Sequence, residues 1–330
     1  MKTDVDQSPF IRWKEQYGGI YTVHFAWNEP RLIVSDEKLL KQILTTQQYD
    51  FEKPLFVSKN LRRVVGNGVL LAEGDVHSAQ RKMLNPAFSV HAIRSMVPLM
   101  TTPAYKLRDQ WLKKMTESKS EYTEIEVSLG LSLATLDVIG LTAFGQDFKS
   151  VENYGTERLH KISKAYLHIF NDDFSWSHIL QFAFPFIKYL PTRRLFNRAR
   201  SLRWLHEEAE ALVEAGIERS KKEKASDMNG RPKDLLALME IWGEDADKFN
   251  PLRWEKRDHL GGAYEYMPFL AGARQCIGNK FAMLEMKILV AILLHHIQFF
   301  EKPGFEVKKI QVITTRPIPN VTLWAKPIAL

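Results

Sequence analysis

Alternating apolar positions in Ile20-Tyr21-Thr22-Val23-His24-Phe25, entered through Tyr17-Gly18-Gly19, predict a strand. Asn28-Glu29-Pro30 predicts a turn, and Arg31-Leu32-Ile33-Val34 a second strand. Ser35-Asp36 then predict the cap of a helix whose apolar positions are Leu39, Leu40, Ile43 and Leu44. From there to about residue 225 the spacing is mostly helical. Ile125 to Gly145 is apolar apart from Ser128, Ser132, Thr135 and Asp137, which predicts a helix inside a core rather than one with a wet face. Glu207 to Lys224 is a charged amphipathic helix, and Ala225 to Pro232 a polar linker with glycine and proline signals. Near the C-terminus, extended segments around Gly304 to Val307 and Gln311 to Trp324 read as hairpin-like β structure, which Pro317 and Pro319 confine to an edge or turn. No internal repeat is present. The pattern predicts a mainly α fold with a small β component.

Composition narrows the class. A chain of 330 residues, 45% hydrophobic and 26% charged, has enough apolar surface to bury a large core. Its net charge of +7 fits a basic surface facing an acidic redox partner or anionic lipid, and is too diffuse to argue for nucleic acid. The single cysteine excludes an internal disulfide framework. The longest purely apolar run, Ile288 to Leu294, falls far short of the roughly 20 residues of a membrane span, and Met1 to Asp6 has no signal-peptide core.

That cysteine, Cys276, lies in Phe269-Leu270-Ala271-Gly272-Ala273-Arg274-Gln275-Cys276-Ile277-Gly278. Gly272 and Gly278 permit left-handed or tightly turned backbone in this loop. Arg274 offers a rigid fork of donors to a carboxylate. The helical stretch Phe281 to Leu289 follows, and the amides at a helix start favour an anionic sulfur. A caspase-type signature does not fit, because it needs glutamine two residues before the cysteine and Gln275 is adjacent to it.

The loop matches F-x-x-G-x-R-x-C-x-G at every fixed position, and so resembles the haem loop of the cytochrome P-450 haem-thiolate monooxygenases, in a fungal-like form. The resemblance continues in Gly74 to Phe88, similar to the family's H-x-x-x-R helix before an N-P-x-F segment, with His77 and Arg81 on one helix face. Phe249-Asn250-Pro251-Leu252-Arg253-Trp254 resembles the family's F-x-P-x-R segment, in which Arg253 completes a structural Glu-Arg-Arg cluster. Asp137 to Gly145 resembles the core helix before the F region. Ile179 to Ile187, aromatic and followed by Arg193, Arg194, Arg198, Arg200 and Arg203, corresponds to the loop between helices F and G. That patch reads equally as a lipid-dipping surface or as ordinary packing beside a solvated face.

Other family parts are missing from the sequence. Asp234 to Met239 is similar to the start of the long central helix, yet Glu240-Ile241-Trp242 leads directly to the Arg253 region. The oxygen-activating A-G-x-[D/E]-T motif and the E-x-x-R helix are both absent. Ala215-Gly216-Ile217-Glu218 is followed by Arg219 rather than threonine, and is a decoy. The expected organisation is one cytochrome P-450 domain over residues 1–330, without an N-terminal anchor and interrupted by a deletion near 239–242.

The resemblance implies haem b as cofactor, with Cys276 as the axial iron ligand. It implies that His77, Arg81 and Arg274 hold the propionates, that Phe269 packs beside the thiolate, and that Gly272 and Gly278 permit the loop. No catalytic residue is identified, since the distal threonine is absent. The implied reaction inserts one oxygen atom from dioxygen into a small lipophilic substrate. Electrons come from a cytochrome P-450 reductase or similar donor, with NADPH acting only indirectly. The implied location is the cytosolic face of the endoplasmic reticulum membrane, with peripheral contact or, lacking an anchor, the cytosol. Two alternatives stand beside it. One is a noncatalytic truncated paralogue, or a splice or gene-model product, with weak or no haem binding. The other is a membrane-surface interaction protein using Phe182 to Arg203.

Overall fold

A computed structural model describes residues 9–25, 28–55, 58, 61–62, 65–118, 120–170, 193–223, 264, 267–311 and 315–328. In chain order these form α1 (Pro9–Tyr17), β1 (Ile20–His24), β2 (Pro30–Val34), α2 (Glu37–Lys41), α3 (Gly74–Leu84), α4 (Val90–Ser95), α5 (Val97–Glu117), β3 (Thr123–Glu126), α6 (Val127–Phe144) and α7 (Ser150–Asn153). There follow α8 (Lys161–Phe170), α9 (Arg193–Glu223), α10 (Asn279–His296), β4 (Ile297–Phe300), β5 (Lys308–Gln311), β6 (Thr315–Ile318) and β7 (Thr322–Pro327). The mainly α character with minor β holds. The Arg253 segment, the 239–242 join and the aromatic patch at 179–187 lie outside the described residues.

The chain divides into two compact units, residues 1–92 with 231–281, and residues 93–230 with 282–330. In the first, β1 and β2 pair antiparallel with Ile20 opposite Val34 and His24 opposite Pro30, the hairpin the alternation predicts. Asp36 caps α2, its Oδ1 accepting from the Leu39 amide at 3.0 Å. The predicted helix does not run on as α structure: Gln42–Thr46 widens into a π turn. Widened turns of this kind are often found at functional sites, and this one leads directly into residues that hold the cysteine loop.

In the second unit, α5 buries Met100, Ala104, Leu107, Trp111 and Met115, spaced at three and four residues on one helical face. They meet α6, where Leu129, Leu133 and Ala134 are buried in the same core. Gly130 lets the two helices close, since a Cβ there would come within 2.5 Å of Trp111 Cζ2. By length and composition α6 is apolar enough to cross a membrane. Its packing shows the core helix predicted from sequence, beginning two residues later because Thr123–Glu126 forms β3. Leu289 and Leu293 of α10 and Ala325 of β7 complete this core. β7 is the middle strand of an antiparallel sheet of order β3-β7-β4, so residues separated by some 200 positions in the chain share one ladder. Pro317 lies in the two-stranded β5-β6 pair, where a missing amide is tolerated.

Asp137, one of the polar interruptions in the apolar run, is fully buried. Its carboxylate accepts from the amides of Ser150 at 2.7 Å and Val151 at 3.0 Å, so it caps α7 from another helix. Burial pushes its pKa up, against the pull of those donors.

Candidate functional site

The cysteine loop is built in the first unit. Gly272 opens a short 3-10 turn, Gly272–Arg274, with φ at +70°, and a Cβ on it would fall 1.7 Å from the Leu44 carbonyl oxygen. Only glycine meets both demands, left-handed backbone and direct contact with the π turn after α2. Leu270, at φ +62°, supplies a second left-handed step. The Cys276 amide donates to the Phe269 carbonyl at 2.8 Å, closing the loop, and the Gln275 amide donates to the Gly272 carbonyl at 3.0 Å. From outside the loop, Gln48 Oε1 accepts from the Ala273 amide at 2.7 Å. Cys276 is exposed with a free thiol, and α10 begins three residues beyond it, the Asn279 amide donating to the Cys276 carbonyl at 3.3 Å.

Gly278 plays a different part from Gly272. It does not take a positive φ, and a Cβ there would meet only Phe88 Cε1, at an ordinary 3.7 Å. The backbone freedom argued for both glycines is used at Gly272 alone.

Arg274 is the most constrained side chain of the site. Its Nη2 donates to the carbonyls of Gln48 and Phe51, each at 3.3 Å, and to the Glu73 carboxylate. Its guanidinium carbon lies 5.6 Å from the centre of the Tyr49 ring. Its Nε and Nη1 are buried with no acceptor among the described residues. Lys53 grips Glu73 from the other side, with Nζ 2.8 Å from Oε1. The Arg274 bond, followed by those from Lys53, holds the Glu73 carboxyl at about 2, so it is ionised throughout the physiological range.

His77, on α3, is buried, and its Nδ1 is 3.0 Å from the Tyr49 hydroxyl. Burial lowers its pKa, and the charges of Lys53, Arg274 and Arg81 push it further down. It is therefore a neutral hydrogen-bonding group at pH 7, not a cation. Arg81, one turn along α3, donates through Nη1 to the Gln275 carbonyl. All seven residues read from sequence thus lie within one unit. Tyr49 links His77 to Arg274, Arg81 binds the loop, Phe269 closes it on Cys276, and Phe88 is the nearest neighbour of Gly278.

Sequence reading did not find Gln48, Lys53 or Glu73. Glu73 immediately precedes α3 and resembles any solvated helix-start acid, so its link to a residue 201 positions away leaves no local signal.

A haem fits these residues. A propionate would supply the anionic acceptor that the buried Nε and Nη1 of Arg274 lack among the described residues, two positions before the exposed Cys276 thiol. Buried guanidinium donors without acceptors are costly, and an incoming anion relieves that cost.

The family model described as Cytochrome P450 matches residues 4–239 and 238–323. Cytochrome P450 monooxygenase FUM15 of Gibberella moniliformis is 31% identical over 226 residues, covering 66% of this chain and 37% of that protein. Cytochrome P450 monooxygenase sphH of Aspergillus fumigatus is 35% identical over 136 residues, 41% of this chain and 25% of that protein. The alignments thus span well under half the length of these curated relatives. Among solved structures, a cytochrome P450, CYP102L1, superposes with a TM-score of 0.75 at 16% identity, covering 99% of this chain and 98% of that one. The retinoic acid-bound cyanobacterial CYP120A1 gives 0.68, also at 16% identity, covering 98% and 95%. At that identity the likeness establishes the fold, in agreement with the architecture expected from the cysteine loop.

Proposed function

Because the chain belongs to the cytochrome P450 family, we propose that it holds haem b through Cys276 and inserts one oxygen atom from dioxygen into a small lipophilic substrate. Electrons reach it from NADPH through a reductase. The observation that carries this reading is the pairing of an exposed Cys276 thiol with buried Arg274 donors that have no acceptor. The relatives' names as monooxygenases support the reaction class.

Thiolate-bound haem iron supplies electron density that favours O–O cleavage. The residues of this chain set the conditions for it. Cys276 presents sulfur on a loop fixed by its own amide bond to Phe269 and by Gln48. Arg274, Arg81 and neutral His77 are the groups assigned to the propionates. Arg274 offers two unused donors, while His77 and Arg81 also brace the site through Tyr49 and Gln275.

A second reading is a haem-poor or noncatalytic chain, since the sequence lacks the threonine and E-x-x-R motifs and the family model matches it in two segments that meet at 238–239. Turnover under 18O-labelled dioxygen, with a reductase, NADPH and a panel of lipophilic substrates, separates the two. The monooxygenase reading expects product carrying one labelled oxygen and none from labelled water. Haem uptake without any labelled product supports the noncatalytic reading.

A further inference from the structure

Resting on the proposed haem site, we propose that Glu73 is the positioning residue of that site, fixing the Arg274 guanidinium so that its remaining donors face the propionate. Glu73 Oε2 accepts from Arg274 Nη2, while Oε1 is held by the Lys53 ammonium at 2.8 Å and the Lys53 amide at 3.2 Å. Lys53 is itself anchored, its Nζ donating to the Ala72 carbonyl at 3.1 Å. With the Gln48 and Phe51 carbonyls also on Nη2, one nitrogen of a planar, rigid group is pinned by three acceptors. Pinning one nitrogen of a plane that also stacks near the Tyr49 ring fixes where Nε and Nη1 lie. Those two are buried and, among the described residues, unpaired. Glu73 thus occupies Nη2 and leaves Nε and Nη1, which donate along different edges of the plane, as separate donors for an incoming anion.

A purely electrostatic role makes the opposite prediction. Neutralising Glu73 raises the positive charge of the Lys53–Glu73–Arg274 cluster, which by charge alone tightens binding of an anionic haem. A positioning role weakens it, because the donors lose their fixed orientation.

The test titrates the full chain, and its Glu73→Gln variant, with ferric haem and separately with the haem dimethyl ester, in which the propionates are uncharged. Binding is read from the Soret band. The proposal expects Glu73→Gln to weaken haem binding about tenfold or more, the usual scale for groups that orient a ligand from behind, with ester binding unchanged within about twofold. Equal or tighter haem binding in the variant overturns it. Equal weakening for both probes also overturns it, since a general structural defect does not distinguish propionate from ester. If Glu73→Gln does not fold, Glu73→Asp, which retracts the carboxylate by one methylene, is expected to show the same selective loss. No haem uptake by the parent overturns the haem site itself, a failure distinct from uptake that ignores Glu73.

Discussion

Gly272→Ala is expected to lower stability by about 3 kcal/mol or more and to abolish haem capture, the combined cost of left-handed backbone at a non-glycine residue and of overpacking. Both costs are local and visible. The residue sits at φ +70°, and the added methyl would lie 1.7 Å from the Leu44 carbonyl oxygen and 2.8 Å from its carbon. Backbone has no rotamer by which to retreat, so the loop must lift from the π turn. Lifting breaks the Ala273 bond to Gln48 and the Arg274 bonds to Gln48 and Phe51. Gly278→Ala is the control, because its methyl would make only ordinary contact with Phe88. It should stay within about 1 kcal/mol of the parent. Urea unfolding followed by far-ultraviolet circular dichroism, with haem titration alongside, measures both. Equal effects from the two substitutions would refute the account of the loop.

Glu285→Gln is expected to stabilise the chain relative to the parent as pH rises. Glu285 lies on the inward face of α10, one turn before Leu289 and two before Leu293, and is 8% exposed. Its Oε1 has no partner among the described residues, and burial pushes its pKa up to about 7 from an ordinary 4.5. The native state therefore retains a proton that the unfolded chain releases as pH climbs past 4.5. Stability falls across that interval, and the full penalty is present above about 7. A rise of this size corresponds to roughly 3 kcal/mol, at about 1.4 kcal/mol per pH unit. Glutamine keeps the shape and cannot ionise. Its stability minus the parent's should grow by about 2–3 kcal/mol between pH 4.5 and pH 8, whatever the offset at low pH from a buried amide. Denaturant midpoints at the two pH values test this, and a difference that does not change with pH contradicts a buried, unpaired Glu285.

Local chemistry was readable from sequence wherever neighbours in the chain are also neighbours in space. The β1-β2 hairpin, the Asp36 cap and the apolar run of α6 belong to this class. The Cys276 loop was legible because five fixed residues fall within ten positions, among them Gly272, Arg274 and Cys276, each with a separate demand. The rest depends on distant pairings. Asp137 looked like a mere interruption of an apolar stretch, because the two amides it caps arrive from Ser150 and Val151. Glu73 carried no local signal, because its partner Arg274 lies 201 positions along the chain. Periodicity along α2 predicted a longer α-helix and had no means of marking the π widening at Gln42–Thr46. The equivalence assumed for Gly272 and Gly278 also dissolved, since the Leu44 carbonyl lies against the first and only an ordinary contact with Phe88 meets the second.

The most direct measurement is the carbon monoxide difference spectrum of the reduced, haem-supplied chain, recorded beside Cys276→Ala. A strongly red-shifted Soret band in the parent, lost in the variant, is the predicted result, because Cys276 would hold the iron through its thiolate and alanine offers no ligand. No haem signal in the parent, or the same signal in both proteins, would contradict the assignment of Cys276 as the iron ligand.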